Sequence, residues 1–149
     1  MARLETVRII VAMATWEGWS LHQLDVKSAF LNGYLEEEIY VTQPLGFTFK
    51  GEEHKVYRLN KELYGLKQAP RAWNHQINQF LEKIGFVRYV SEQGVHTKCW
   101  KDQDREEKRI ACLYVDDMLL TGSKPEAIAE FKSQMHSEFE MSDLGRLRH

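Results

Sequence analysis

Residues 110–121 read IACLYVDDMLLT. Apolar residues flank Asp116 and Asp117 on both sides, so the segment predicts two short buried strands joined at an acidic turn. An ordinary polar hairpin tip is one reading, because Asp is a good turn residue. A two-residue type I′ hairpin, however, takes positive φ at both positions and favours Asn-Gly or Asp-Gly. Two adjacent carboxylates without a glycine repel each other, and a bound cation would offset that repulsion.

A second acidic position lies in Gln23-Leu24-Asp25-Val26-Lys27-Ser28-Ala29-Phe30, where Asp25 ends an apolar strand and precedes a turn. An N-cap is the plain reading. Asp25 and Asp116 are 91 positions apart, too far for a local motif. Neighbouring central strands could still bring them together. Carboxylates on adjacent strand ends would hold two Mg²⁺ ions about 3.5–4 Å apart and serve in-line phosphoryl transfer. The absence of His and Cys from both segments argues against zinc. The third segment, 57–73, reads YRLNKELYGLKQAPRAW: a strand, a Gly turn and a helix start, with Lys61, Lys67 and Arg71 between aromatics. Gly65 would admit close backbone approach to a ligand. A capped loop with solvated lysines and Trp73 in the core is the plain alternative. Beside an acidic metal site, the basic loop suits a nucleotide or nucleic-acid backbone.

Around these segments the pattern predicts a helix over Leu4, Val7, Ile10, Val11 and Ala14 that ends near Gly18. Strands are expected near 20–26, 37–43, 55–60, 86–90 and 95–101. A helix is expected over 69–84, with Trp73, Ile77, Phe80, Leu81 and Ile84 as its apolar stripe. Lys101 to Arg109 reads as a solvated connection, and Pro125 opens a last helix to about residue 139. Phe139, Met141 and Leu144 are spaced as if entering a further element. The class is α+β, a largely antiparallel sheet with helices on one face. The chain opens mid-pattern, as if cut from a longer one.

The 149 residues carry 20 Lys+Arg against 22 Asp+Glu, a formal charge of −2. That balance gives no whole-domain pull toward nucleic acid, so any such contact is local or made by parts outside the segment. With 43% hydrophobic residues and only nine Gly and three Pro, low-complexity and collagen-like chains are excluded. No apolar run reaches the roughly 18 residues of a membrane span, so no membrane partner is expected. Cys99 and Cys112 are too few for a disulfide framework or a zinc site.

Taken in order, ARLETVR (2–8), QLDVKSAFLNGYLEEEIYVTQPLGF (23–47), YRLNKELYGLKQAPRAW (57–73), LYVDDMLLTG (113–122) and FEMSDLG (139–145) resemble the reverse transcriptase domain of Ty1/copia-type LTR retrotransposons over essentially the whole chain. The resemblance implies a polymerase palm with adjoining fingers, residues 1–149 forming one partial domain without the upstream fingers and the thumb. It implies an RNA-directed DNA polymerase that adds dNTP to a primer 3′-OH, with an isolated fragment inactive or weakly active. Asp25, Asp116 and Asp117 would be the catalytic metal ligands, for two Mg²⁺ or alternatively Mn²⁺. Ser28 and Ala29 would offer backbone N–H groups to the triphosphate, and Phe30 would be a steric gate against the ribose 2′-OH. Gly65 and Lys67 would meet the nucleotide; Pro70 and Arg71 the template; Tyr114 and Met118 the primer end. Tyr64 stands where retroviral enzymes carry Gln.

The implied partners are an RNA or DNA template with primer, dNTP, and the remaining Pol polyprotein with thumb, RNase H and integrase. The implied location is a cytoplasmic virus-like particle. Two other readings stay open: an inactive relic or domesticated interaction module, and a metal-dependent nuclease on the same palm.

Overall fold

The computed structural model describes residues 2–34, 37–61, 67 and 69–148. Helix α1 spans Leu4–Glu17 and stops at Gly18, whose φ of 71° is the left-handed cap conformation that glycine adopts without a Cβ penalty. Strand β1 (Leu21–Val26) leads to a short 3₁₀ turn at Ala29–Asn32. Strands β2 (Tyr40–Thr42) and β3 (Val56–Arg58) pair with each other as a small two-stranded sheet. Helix α2 spans Ala69–Lys83, followed by β4 (Val87–Arg88), β5 (Val95–Asp102), β6 (Arg105–Tyr114) and β7 (Asp117–Gly122). Helix α3 (Pro125–Glu138) has Pro at its first turn, where the missing N–H costs no helical bond. Strand β8 (Met141–Leu147) is the further element expected after Phe139.

Two compact units emerge: Met1–Ala29 with Ile77–His149, and Phe30–Gln76. The first contains a six-stranded sheet of order β4-β5-β6-β7-β1-β8, every neighbouring pair antiparallel. The second contains the β2–β3 hairpin.

The α+β class holds, but the expectation of helices on one face is corrected. Side chains alternate along each strand, and the register carries that alternation across the sheet. One face presents Leu21, Leu119, Ile110, Cys112 and Val95. Ile10 and Ala14 of α1 pack there, with Val7 and Val11 beside them. The opposite face presents Leu24, Met118, Leu120, Ala111, His96 and Arg109. There Asn78 of α2 meets His96 at 2.9 Å, and Ala127 of α3 accepts a hydrogen bond from Arg109. Edge-to-face contacts Phe80–Phe139 and Phe86–Phe131, each with centroids 5.3 Å apart, tie the helical layer together. Apolar stripes on all three helices require burial, and a sheet with two apolar faces has room on both.

The second correction concerns Lys101 to Arg109, expected as a solvated connection. Those residues form a tight hairpin between two long strands, closed by Gln103 and Asp104 with φ of 48° and 65°. Both turn residues have positive φ, as a type I′ hairpin demands. The run lacks apolar alternation because β5 and β6 extend toward solvent there, and its turn lacks the glycine that would have marked it.

Gly122 sits where β7 presses on β6. A Cβ added there would lie 2.6 Å from the Lys108 carbonyl oxygen and 3.2 Å from the Arg109 Cα. Both are backbone atoms of a central strand, so the clash cannot be relieved by a side-chain turn. Gly122→Ala is expected to lower stability by about 1–3 kcal/mol in urea unfolding; an unchanged midpoint would show that the β6–β7 spacing is softer than this.

Candidate active site

Strand β1 lies between β7 and β8, so its residues have neighbours on both sides. Its register with β7 sets Asp25 directly opposite Asp117, and its register with β8 sets Asp25 opposite Ser142. The β6–β7 hairpin sets Tyr114 opposite Asp117. Asp25, Asp117 and Tyr114 therefore share one face, the face on which α1 packs, at one end of the sheet. Asp116 occupies the hairpin turn, and its carbonyl oxygen accepts a hydrogen bond from the Val26 N–H at 2.8 Å. That bond locks the acidic turn to the end of β1.

The turn departs from type I′. Of its two central residues only Val115 has positive φ, 55°, the one-positive pattern of type II′. A β-branched residue in that region is a steric outlier, and such outliers persist where the surrounding pairing over-determines them.

Three carboxylates thus gather at one sheet end, all partly exposed. The Asp25 carboxyl is pushed up from its ordinary value, first by partial burial and then by the charges of Asp116 and Asp117, with Lys27 pulling the other way. Gln23 sits two residues before Asp25 and so on the same face. Its side-chain N–H donates to Asp117 Oδ1 at 3.4 Å. The sequence reading missed Gln23, although the period-two alternation of a strand through Asp25 was a signal that could have found it.

The other expected positions fall as follows. Ser28 is exposed, with φ of 49°, and Ala29 is buried; both lie just past β1, after Lys27. Met118 is fully buried on the sheet face opposite Asp117, so its thioether is unavailable on the carboxylate side. Tyr114 is exposed. Phe30, Lys67, Pro70 and Arg71 belong to the other unit; Phe30 is half-buried and the remaining three are exposed. Gly65 and Tyr64 lie outside the described residues.

All of residues 1–149 match the family described as reverse transcriptase (RNA-dependent DNA polymerase). The chain belongs to that family. It is 41% identical over 145 residues to a retrovirus-related Pol polyprotein from transposon TNT 1-94 of Nicotiana tabacum, which covers 97% of this chain and 11% of that protein. It is 37% identical over 144 residues to a retrovirus-related Pol polyprotein from transposon RE1 of Arabidopsis thaliana, covering 97% of this chain and 10% of that protein. Against the Transposon Ty1-GR3 Gag-Pol polyprotein of Saccharomyces cerevisiae the identity is 31% over 128 residues, 83% of this chain and 7% of that protein. The chain therefore spans about a tenth of the length of these relatives.

The family generally uses divalent metals. Among the described residues no group of three or more His, Cys, Asp or Glu side chains is arranged to hold a metal ion as it stands. The donor set at the sheet end nonetheless suits a hard cation: three carboxylates, no His or Cys, and a mutual repulsion that a cation would relieve. No helix among the described residues is long and apolar enough to cross a membrane.

A raised carboxyl pKa means that the folded chain favours protonated Asp25. The stability linked to that proton is present at low pH and is lost as pH rises through the folded-state value. Without divalent cation, Asp25→Asn is expected to melt no lower than the parent at pH 7, and above it at low salt. Carbon-13 NMR should also show the Asp25 midpoint falling in Asp116→Asn. An Asp25 midpoint indifferent to Asp116 would contradict the proximity.

Proposed function

We propose that residues 1–149 form one segment of an RNA-directed DNA polymerase palm, with part of the fingers, that supplies the acidic groups for adding dNTP to a primer 3′-OH. The observation that carries this reading is the strand register that sets Asp25 opposite Asp117, with Asp116 in the adjoining turn. In this reading Asp25, Asp116 and Asp117 hold the divalent cations, Mg²⁺ or alternatively Mn²⁺. Bound there, such ions neutralise developing phosphate charge and make the primer hydroxyl a better nucleophile.

The chain's own part is orientation and electrostatics. Gln23 donates to one Asp117 oxygen across the strand pair and helps orient that carboxylate. The exposed Tyr114, on the carboxylate face, offers a ring to the primer end. Backbone N–H groups of Ser28 and Ala29 at the triphosphate, Phe30 as the gate against a 2′-OH, Gly65 and Lys67 at the nucleotide, and Pro70 and Arg71 at the template rest on family resemblance. So do the partners: a primed RNA or DNA template, dNTP, and the rest of a Pol polyprotein with its thumb, RNase H and integrase. A virus-like particle as the setting rests on the same ground.

The test is primer extension on an RNA template by the Pol reverse transcriptase that contains this segment. Asp116→Asn is expected to slow extension by about 10²–10³-fold or more, as losses of preorganised charge at a transition state do. Phe30→Ala is expected to keep dNTP addition and admit ribonucleotides. Full extension by Asp116→Asn would sink the assignment.

A further inference from the structure

On the sheet face opposite the aspartates, β5, β6 and the start of α3 line an open cavity of about 450 Å³. This is within the roughly 300–1,000 Å³ range of small-molecule sites. Arg109 lines it and is only 2% exposed. Its guanidinium lies between the rings of Phe86 and Trp100, at 5.4 and 5.5 Å from their centroids. One terminal N–H donates to the Ala127 carbonyl at 2.7 Å, and the Glu130 carboxylate approaches no nearer than 3.7 Å. The Arg109 Nε–H is buried and has no acceptor among the described residues. Buried donors are nearly always satisfied, so an orphan N–H on a side chain that lines the cavity points to an acceptor that enters from outside.

The surroundings fit an oxyanion. Lys98 and Lys124 line the same cavity. Helix α3 begins there without a side-chain cap. Glu126 and Ala127 of its first turn, whose N–H groups have no partner within the helix, are also in the lining. A helix N-terminus beside arginine and lysine is a general phosphate-binding arrangement. Three groups act against it: Glu126 and Glu130 in the lining, and Asp102, which pairs with Lys124. Glu130 is 61% exposed and Glu126 is exposed, so both can turn toward water.

We propose that this cavity is a phosphate-binding site, distinct from the carboxylate end, that takes free phosphate or the phosphate of a nucleotide. Arg109 donates to the oxyanion, Lys98 and Lys124 flank it, and Trp100 offers a ring to whatever the phosphate carries.

The experiment is a proton–nitrogen NMR titration of the 149-residue chain at constant ionic strength, reading the Arg109 Nε–H and the Trp100 indole N–H. Inorganic phosphate, AMP and adenosine are the probes. Phosphate and AMP are expected to shift Arg109, and adenosine is not. Equal affinities identify free phosphate as sufficient; tighter AMP with a larger Trp100 shift identifies a nucleotide. Lys124→Gln should weaken binding and Glu130→Gln should tighten it, each by about three- to tenfold. Both positions are surface groups whose replacement leaves the core intact. No Arg109 response up to about 20 mM phosphate, or affinities unmoved by both substitutions, would overturn the proposal. So would a response to adenosine equal to that for AMP.

Discussion

Asp25 and Asp117 face each other across the pairing of β1 with β7, and the rest of the first unit is arranged around that unfavourable juxtaposition. Like charges opposite one another on a sheet are destabilising by roughly 0.2–1 kcal/mol. Asp116 in the adjoining turn adds to the strain, as does positive φ at Val115. What holds the arrangement is everything behind it. β1 is hydrogen-bonded on both sides, Leu24 and Met118 are fully buried beneath it, and α1 closes the carboxylate-bearing face farther along the strands. A one-residue slip of β1 against β7 would exchange the two faces of the strand, exposing Leu24 and burying Asp25. The apolar layer therefore fixes the carboxylates as firmly as it fixes itself.

Two kinds of chemistry then occupy the two faces. One carries an acidic, partly exposed end whose donors suit hard cations. The other carries a buried guanidinium held between aromatic rings at the start of α3. In both places polar groups sit where folding alone would not put them, and in both the cost is met by apolar contacts close by. Such violations of local rules concentrate where proteins bind ligands.

Much of this was legible in the residues. Apolar flanks around Asp116 and Asp117 announced β6 and β7. The stripe from Trp73 through Leu81 announced α2, and Pro125 announced the start of α3. The resemblance named the acidic trio, and the register then showed how Asp25 meets its partners across 91 positions. Other features left no local trace. The hairpin at Gln103 and Asp104 has charged strands and no glycine, so pattern alone made it a loop. The stripe of α1 showed that it must be buried but not on which face. Arg109 ends a charged run of the kind that is usually solvated. Only Phe86, Trp100 and Ala127, brought in by the fold, make it an interior residue. Met118, placed at the primer end by resemblance, is next to Asp117 in sequence, but strand alternation sends its side chain to the other face.

In the function proposed above, Asp25, Asp116 and Asp117 act together as a cation site built by strand register. Manganese titration of the isotope-labelled chain tests it directly, because a paramagnetic ion broadens the signals nearest to it. Asp25, Asp116 and Asp117 are expected to broaden first, with Gln23 and Ser142 next, and Mg²⁺ is expected to reverse the effect by competition. Broadening that begins at the exposed pair Glu52 and Glu53, or spreads evenly over the acidic surface, would contradict it.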